Sequence, residues 1–372
     1  GRPFGTGPRA ELRTSTLTLS ELSRPEFAPP VAEEDATIPT DLATLVGAIG
    51  GAFSSLGRPM PHSPWLPPLP EVITLDEIDK RLREELQSPA GQDGASEIGL
   101  GDGAADGGSA EAGPAGADPR TEGFLPPLPL GLEDLPALQA QRPMTWDYTR
   151  AGHLGIAGAA RSGRSSVLRG IAVAVARTAS ATEVHMYGID AGNGALLPFV
   201  SLPHVGAVVD GDDEERVSRL LSHVVSIIDE RSERYSQSRA GTITDYRRIA
   251  HRNEEPRLLL LLDGVGSMRA ELEKTSDGVA LLDLLQRILV DGRGVGVHVA
   301  ATAERPNAVP TSMSNSFQRK IVLRQTDEDG YMYFSLPKDV LTPSSPPGRA
   351  MQVGRKDEEL QLAILGDNVN IL

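Results

Sequence analysis

The sequence predicts an α/β domain built on a buried, mostly parallel sheet, and three observations predict it. Near-continuous apolar runs at 153–157, 257–262 and 296–302 alternate with stretches of helical periodicity. Strands buried on both faces read this way. A glycine-rich turn, 158–166, joins the first run to an apolar helix, and the second run ends in an acid, Asp263.

The elements follow in order. Residues 1–60 lack a core of their own. Leu12–Leu22 offers one or two strands, and Asp41–Leu56 reads as a helix with Leu42, Leu45, Val46, Ile49 and Phe53 on one face. After Trp65-Leu66-Pro67-Pro68-Leu69-Pro70 comes a short helix over Leu75–Leu86. Residues 88–122 are mostly Gly, Ala, Asp and Glu. Such a stretch cannot bury enough surface to offset its ordering entropy, so 87–123 reads as a disordered acidic linker. Phe124-Leu125-Pro126-Pro127-Leu128-Pro129 then echoes the Trp65 segment. The terminal stretch, Pro347–Ala350 through Leu360–Leu365, reads as a hairpin whose layout resembles Gly1–Pro3 through Leu12–Leu19. Duplicated starts and ends imply tandem domains. Residues 1–86 are expected to be the tail of a preceding sister domain plus a join, and 124–372 a complete domain.

Within 124–372 the alternation is regular. His153–Ala157 is a strand and Val167–Thr178 a helix; Glu183–Asp190 is a strand. Asp213–Tyr235 is a long helix with acids in its first turn, which suits its dipole. Arg257–Asp263 is a strand, Gly278–Val290 a helix, Gly296–Thr302 a strand and Lys320–Arg324 the next.

Composition narrows the chemistry. The chain has 372 residues, no cysteine and a formal charge of −15. Disulfides and thiolate metal sites are excluded, and a reducing compartment is the simple reading. Histidine is scarce and unclustered, which argues against zinc. No apolar run reaches the ~18 residues of a membrane span, and no signal pattern opens the chain. The negative charge opposes a broad nucleic-acid face.

The glycine-rich turn carries the chemistry. Gly158-Ala159-Ala160-Arg161-Ser162-Gly163-Arg164-Ser165-Ser166 has the spacing of a phosphate-binding loop. Glycines let successive N–H groups face phosphate oxygens, and the helix N-terminus adds positive potential. Gly158, Ser162, Gly163, Arg164, Ser165 and Ser166 are the expected cradle, and Ser165 would place its hydroxyl on Mg²⁺. Arg164 stands where such loops carry Lys, and the two are not interchangeable at a tight site. Asp263 would hold the shell of the metal. The next residue, normally an acid that orients the attacking water, is Gly264. Thr302, ending the third strand, could watch the γ-phosphate. Each signal also has a plain structural reading; together and in order they favour a nucleotide site. Restoring Arg164→Lys with Gly264→Glu is, on this reading, the route to rescued hydrolysis.

Other residues carry less. Arg216, Arg219, Arg231 and Arg234 could include a finger for a neighbour's phosphate or simply form a solvated face. Arg319 and Arg324 allow the same two readings. His204 reads as a structural loop residue, and Trp146 and Tyr148 as base-side packing or core. Met313, Phe317, Tyr331, Tyr333 and Phe334 gather the domain's scarce aromatics, as a docking groove or as core under the hairpin.

The run from Trp146-Asp147 through Gly152-His153-Leu154 to Ser162-Gly163-Arg164-Ser165-Ser166-Val167-Leu168-Arg169 resembles FtsK/SpoIIIE-type P-loop ATPases. Tyr187–Gly192, Leu202–Gly206, Leu261–Gly264, Gly296–His298 and Pro347–Arg349 narrow the resemblance to the tandem ATPase domains of EccC, the motor of actinobacterial type VII secretion. The resemblance covers about 1–86 and 124–372. It implies a RecA-like P-loop NTPase fold, with a mostly parallel sheet flanked by helices and preceded by the C-terminal tail of a sister domain. The cofactors it implies are ATP and Mg²⁺. It further implies a late, degenerate domain of such a motor, with regulatory and substrate-docking roles. Partners on this reading are neighbouring ATPase domains, a WXG100-like secreted substrate and copies in a hexamer. The setting is the cytoplasmic face of the membrane within an anchored complex. This stretch itself is expected to be soluble, without membrane contact, and a fragment whose terminal hairpin marks the last domain. The alternatives are an FtsK-type DNA translocase and a scaffold without nucleotide.

Overall fold

A computed structural model describes residues 41–56, 66–87, 125–250, 255–338, 340–355 and 358–366. The chain divides into two compact units, Gly1–Pro64 and Trp65–Leu372. In the first, helix α1 (Asp41–Ser55) forms where the sequence places it, and its Leu42, Leu45, Val46 and Ile49 are exposed. The expected strands in 12–22, the Gly1–Leu19 layout and the 88–122 linker lie outside the described residues.

The second unit opens with α2 (Leu75–Gln87), whose N-terminus is a capping box. Thr74 N–H donates to Glu77 Oε2 at 2.8 Å, and Glu77 N–H donates to Thr74 Oγ1 at 3.3 Å. The strands are β1 (Leu128–Leu135), β2 (Ala140–Trp146), β3 (Leu154–Ala157), β4 (Val184–Asp190), β5 (Val205–Asp210), β6 (Arg257–Asp263), β7 (Val297–Ala303), β8 (Arg319–Leu323), β9 (Arg349–Gln352) and β10 (Glu359–Leu362). The remaining helices are α3 (Tyr148–Ala151), α4 (Arg164–Thr178), α5 (Glu214–Gln237), α6 (Ile243–Ala250), α7 (Val265–Leu272), α8 (Ser276–Asp291), α9 (Thr311–Ser314) and α10 (Glu328–Tyr333).

The strands form one sheet in the order β2-β1-β10-β9-β8-β3-β7-β6-β4-β5. From β8 to β5 every pairing is parallel; from β8 through β9, β10 and β1 to β2 every pairing is antiparallel. All seven residues of β6 and of β7 are buried. Their alternation splits the core in two. Leu259, Leu261 and Ala300 join Val167, Leu168 and Ile171 of α4 on one face. Leu258, Leu260, Leu262, Val297 and Val299 join α5, α7 and α8 on the other. The mostly parallel sheet with flanking helices is thus the architecture the sequence predicts.

Two features go beyond that expectation. The β1–β2 hairpin has no counterpart in the sequence reading, although Leu128, Leu130 and Leu132 alternate inward. Gly131 sits at its bulge because a Cβ there would collide with the Gln361 carbonyl. The segment 69–78 packs on this sheet as well. Ile73, Leu75 and Ile78 enter the core with β1 and α4, and Leu75 N–H donates to Ile364 O at 3.0 Å. Arg349 donates to the carbonyls of Leu69 and Pro70 at 3.0 and 3.1 Å, and Arg177 pairs with Asp76 at 2.7 Å. The boundary expected at 86 therefore lies inside a packed unit that begins at Trp65. The apolar side of so short a helix gave the sequence no sign of which core it joins.

His153 is fully buried, with Nε2 3.0 Å from Leu289 O and Nδ1 accepting from Val299 N–H at 3.0 Å. That pattern needs a neutral ring protonated at Nε2. Burial pushes its pKa down from 6.5 to about 4, and His298 beside it is pushed well below its ordinary value.

Two predictions follow from this packing. Ile78→Ala should cost about 2–5 kcal/mol in denaturant unfolding; an unchanged midpoint would mean that the α2 segment does not pack. Neutral His153 favours the folded chain, so its contribution is present above about pH 6.5 and is lost as the pH falls toward about 4. The melting temperature should fall across that window, and His153→Gln, which keeps a donor and an acceptor without titrating, should flatten the fall.

Candidate nucleotide-binding site

The loop is fastened at three points. Gly158 N–H donates to Ala303 O at 3.1 Å and Ala159 N–H to Arg324 O at 2.8 Å, which ties its start to the ends of β7 and β8. Gly348 N–H donates to Ser162 O at 2.9 Å, which holds the far side to the start of β9. Between these points Arg161 takes φ +59° and Gly163 φ +110°. A side chain at Gly158 would stand 2.5 Å from Ser162 Oγ and 2.8 Å from Leu323 Cβ. Gly158 thus permits close approach, and Gly163 supplies the left-handed turn into α4.

The α4 N-terminus then faces the cradle. The first amides of a helix have no carbonyl one turn back and carry the positive end of its dipole. Arg164, Ser165 and Ser166 supply them, and all three side chains are half-buried. The buried Ser162 Oγ has no hydrogen-bond partner among the described residues, and neither does Asp263 Oδ2. Buried polar groups seldom stay unpaired, so two such oxygens beside a glycine cradle fit a phosphate and a metal ion.

The sheet order sets the opposite wall. β7 lies between β3 and β6, so the loop and the end of β6 are one strand apart. Thr302 Oγ1 donates to Asp263 Oδ1 at 2.6 Å and accepts from Gly264 N–H at 2.8 Å. Its hydroxyl is committed to orienting Asp263, where the sequence reading gave it a γ-phosphate to watch. Asp190 is buried beside it and accepts from the amides of Gly192, Gly194 and Leu196. This holds the loop after β4 against Asp263.

The residue that sequence reasoning missed is Glu304. Its Oε1 lies 3.6 Å from Arg164 Nη1 and accepts from Ser267 Oγ at 3.5 Å. The same oxygen stands 3.3 Å from where a Cβ on Gly264 would be. Gly264 caps α7 at φ +82°, and its added Cβ would also stand 3.2 Å from Ala191 O. An acid restored there meets both backbone strain and a carboxylate already present, so Gly264→Glu is not the simple rescue the sequence suggested. The available signal was an acid two residues past Thr302, at the end of a buried strand.

The weaker candidates have partners or packing within the fold. Arg216 and Arg219 pair within α5, with Asp213 and Glu215. Arg231 is buried against Val295 O, Pro256 O and Glu255, and Arg234 also reaches Glu255. Arg319 donates to Gln352 and Thr145, and Arg324 to Pro343 O. His204 contacts Ala179 O, while Trp146 and Tyr148 fill the core. Met313, Phe317 and Tyr331 are buried in two different clusters, whereas Phe334 is half-buried and Tyr333 exposed. A small apolar cavity by β3 and β8 is lined by Ile156, Val309, Phe317, Ile321 and Phe334.

The fold and sequence are similar to those of secretion ATPases. The chain is 28% identical over 275 residues to the ESX secretion system protein EccC of Thermomonospora curvata, covering 72% of this chain and 19% of that protein. It is 25% identical over 293 residues to the type VII secretion system protein EssC of Staphylococcus aureus, covering 78% of this chain and 17% of that protein. The chain thus spans under a fifth of the length of these relatives. The cytoplasmic domain of the T. curvata type VII secretion ATPase EccC superposes with a TM-score of 0.63 at 27% identity, over 82% of this chain and 32% of that one. ATPases 2 and 3 of the same EccC, solved with a signal sequence peptide, superpose with a TM-score of 0.62 at 26% identity, over 81% of this chain and 49% of that one. The FtsK/SpoIIIE family pattern matches residues 129–341, more than half of the sequence, and the chain belongs to that family.

Proposed function

We propose that this chain is a nucleotide-binding, slowly hydrolysing domain of an EccC-like type VII secretion motor, with a regulatory and substrate-docking role. The observation that carries it is the combination of an intact cradle with an altered reaction centre. On this reading Gly158, Ser162, Gly163, Ser165, Ser166 and Asp263 would hold ATP and Mg²⁺, with Ser165 and Asp263 serving the metal. The loop's basic residue faces Glu304, and Gly264 cannot orient a water. On this reading the residues before Trp65 are the tail of a preceding sister domain. The assembled motor, with its hexamer of copies and neighbouring ATPase domains, sits at the cytoplasmic face of the membrane. No helix among the described residues is long and apolar enough to cross a membrane. A DNA translocase is disfavoured by the charge of −15, and a pure scaffold by the two orphaned oxygens.

The first test is calorimetric. ATP–Mg²⁺ should bind, Asp263→Asn should weaken it roughly tenfold or more, and turnover should stay well below ~1 s⁻¹. Ordinary turnover by this chain alone would overturn the slow-site reading, and no binding would favour the scaffold.

The second concerns the WXG100-like substrate. The exposed Tyr333 offers an apolar anchor for an amphipathic helix. A substrate lacking its C-terminal tail should not bind, and Tyr333→Ala should weaken the intact one without lowering the melting temperature. Full binding by a tail-less substrate would sink the docking role.

A further inference from the structure

We infer that Glu304 tunes the nucleotide preference of this loop, weakening the triphosphate relative to the diphosphate. The inference rests on the nucleotide-binding reading and deepens it.

In loops of this spacing the basic residue after the second glycine serves the distal phosphates. Here that residue is Arg164, and its side chain is largely buried, with 17% of its surface exposed. A side chain so enclosed has few places to put its charge. Its Nη1 has no hydrogen-bond partner among the described residues and lies 3.6 Å from Glu304 Oε1, within ion-pair range but beyond hydrogen-bond reach. Any distal phosphate must therefore compete with a carboxylate for the guanidinium.

Glu304 is itself held in place. It leaves the end of β7, one residue after Ala303, whose carbonyl anchors Gly158 N–H at 3.1 Å. Ser267 Oγ donates to its Oε1 at 3.5 Å. A Cβ on Gly266 would stand 2.5 Å from its Oε2, so the two glycines of α7's first turn make the room it occupies. The carboxylate is thus built into the wall between the loop and Asp263.

The electrostatic consequence depends on phosphate number. A third phosphate adds negative charge at the end of the chain that Arg164 serves, close to a fixed negative group. A diphosphate lacks that added charge, while the α4 amides and loop backbone serve both nucleotides alike. Glu304 therefore penalises the triphosphate more than the diphosphate. The partly exposed setting makes this a modest effect, roughly three- to tenfold in relative affinity.

The test titrates the chain with ATP–Mg²⁺ and, separately, ADP–Mg²⁺. Glu304→Gln preserves shape and removes charge, and its melting temperature checks the fold. It should tighten ATP–Mg²⁺ roughly three- to tenfold while leaving ADP–Mg²⁺ within about twofold. In an Arg164→Ala background the same substitution should no longer change the ratio of the two affinities. Equal shifts for both nucleotides, or weaker ATP–Mg²⁺ binding by Glu304→Gln, would overturn the inference and leave the nucleotide site standing. If neither the native chain nor the variant binds either nucleotide, the inference and the nucleotide reading fall together.

Discussion

The site depends on one constraint: the loop start must lie flat against the ends of two strands. Gly158 N–H and Ala159 N–H are given to carbonyls that end β7 and follow β8, and no side chain fits at Gly158. A methyl group there would push on Ser162 Oγ and on Leu323 Cβ, both enclosed. The cradle is therefore an edge feature of a rigid sheet. Its position is fixed by a core in which every residue of β7 is buried, so the amides that would meet a phosphate are aligned before any ligand arrives.

The same edge explains how remote stretches of sequence converge. In a parallel sheet all strands end on one side, and the crevice beyond those ends collects their loops. Asp190, Asp263, Thr302 and the loop after β3 lie there because β4, β6, β7 and β3 are neighbours in the sheet. Thr302 shows how tightly the parts are tied, because one hydroxyl fixes both the Asp263 carboxylate and the Gly264 amide. The antiparallel half reaches the crevice through Gly348, and the adjacent Arg349 grips the carbonyls of Leu69 and Pro70. The segment at Leu69 and Pro70 is thus one residue removed from a loop contact.

Much of this was legible in the sequence. The parallel core was readable because apolar runs such as Leu258–Leu262 can hardly be anything but strands buried on both faces, and the loop because its glycine spacing is tied to a turn. The β1–β2 hairpin was not, because Pro129, Gly131 and Pro143 interrupt its pattern and its pairing partner β10 lies more than 200 residues away. The aromatics after Thr302 could not be sorted either. Phe317 and Tyr331 are buried and Tyr333 is exposed because of how the segments after β7 pack, which is a tertiary matter.

Glu304 was invisible for a different reason, and it changes how the departures are understood. Along the chain, Arg164 and Gly264 look like two separate losses from an ATPase pattern. In space they meet at one carboxylate. Arg164 lies within ion-pair distance of Glu304, and the absence of a side chain at Gly264 leaves that carboxylate its place, 3.3 Å from where a Cβ would stand. An acid at 264 and an acid at 304 would crowd one another and repel, since like charges in a shared site cannot both ionise freely. The two positions therefore share one charged neighbour across the crevice. Reverting one of them alone leaves the others mismatched: a Lys at 164 would still face Glu304, and a Glu at 264 would have to displace it.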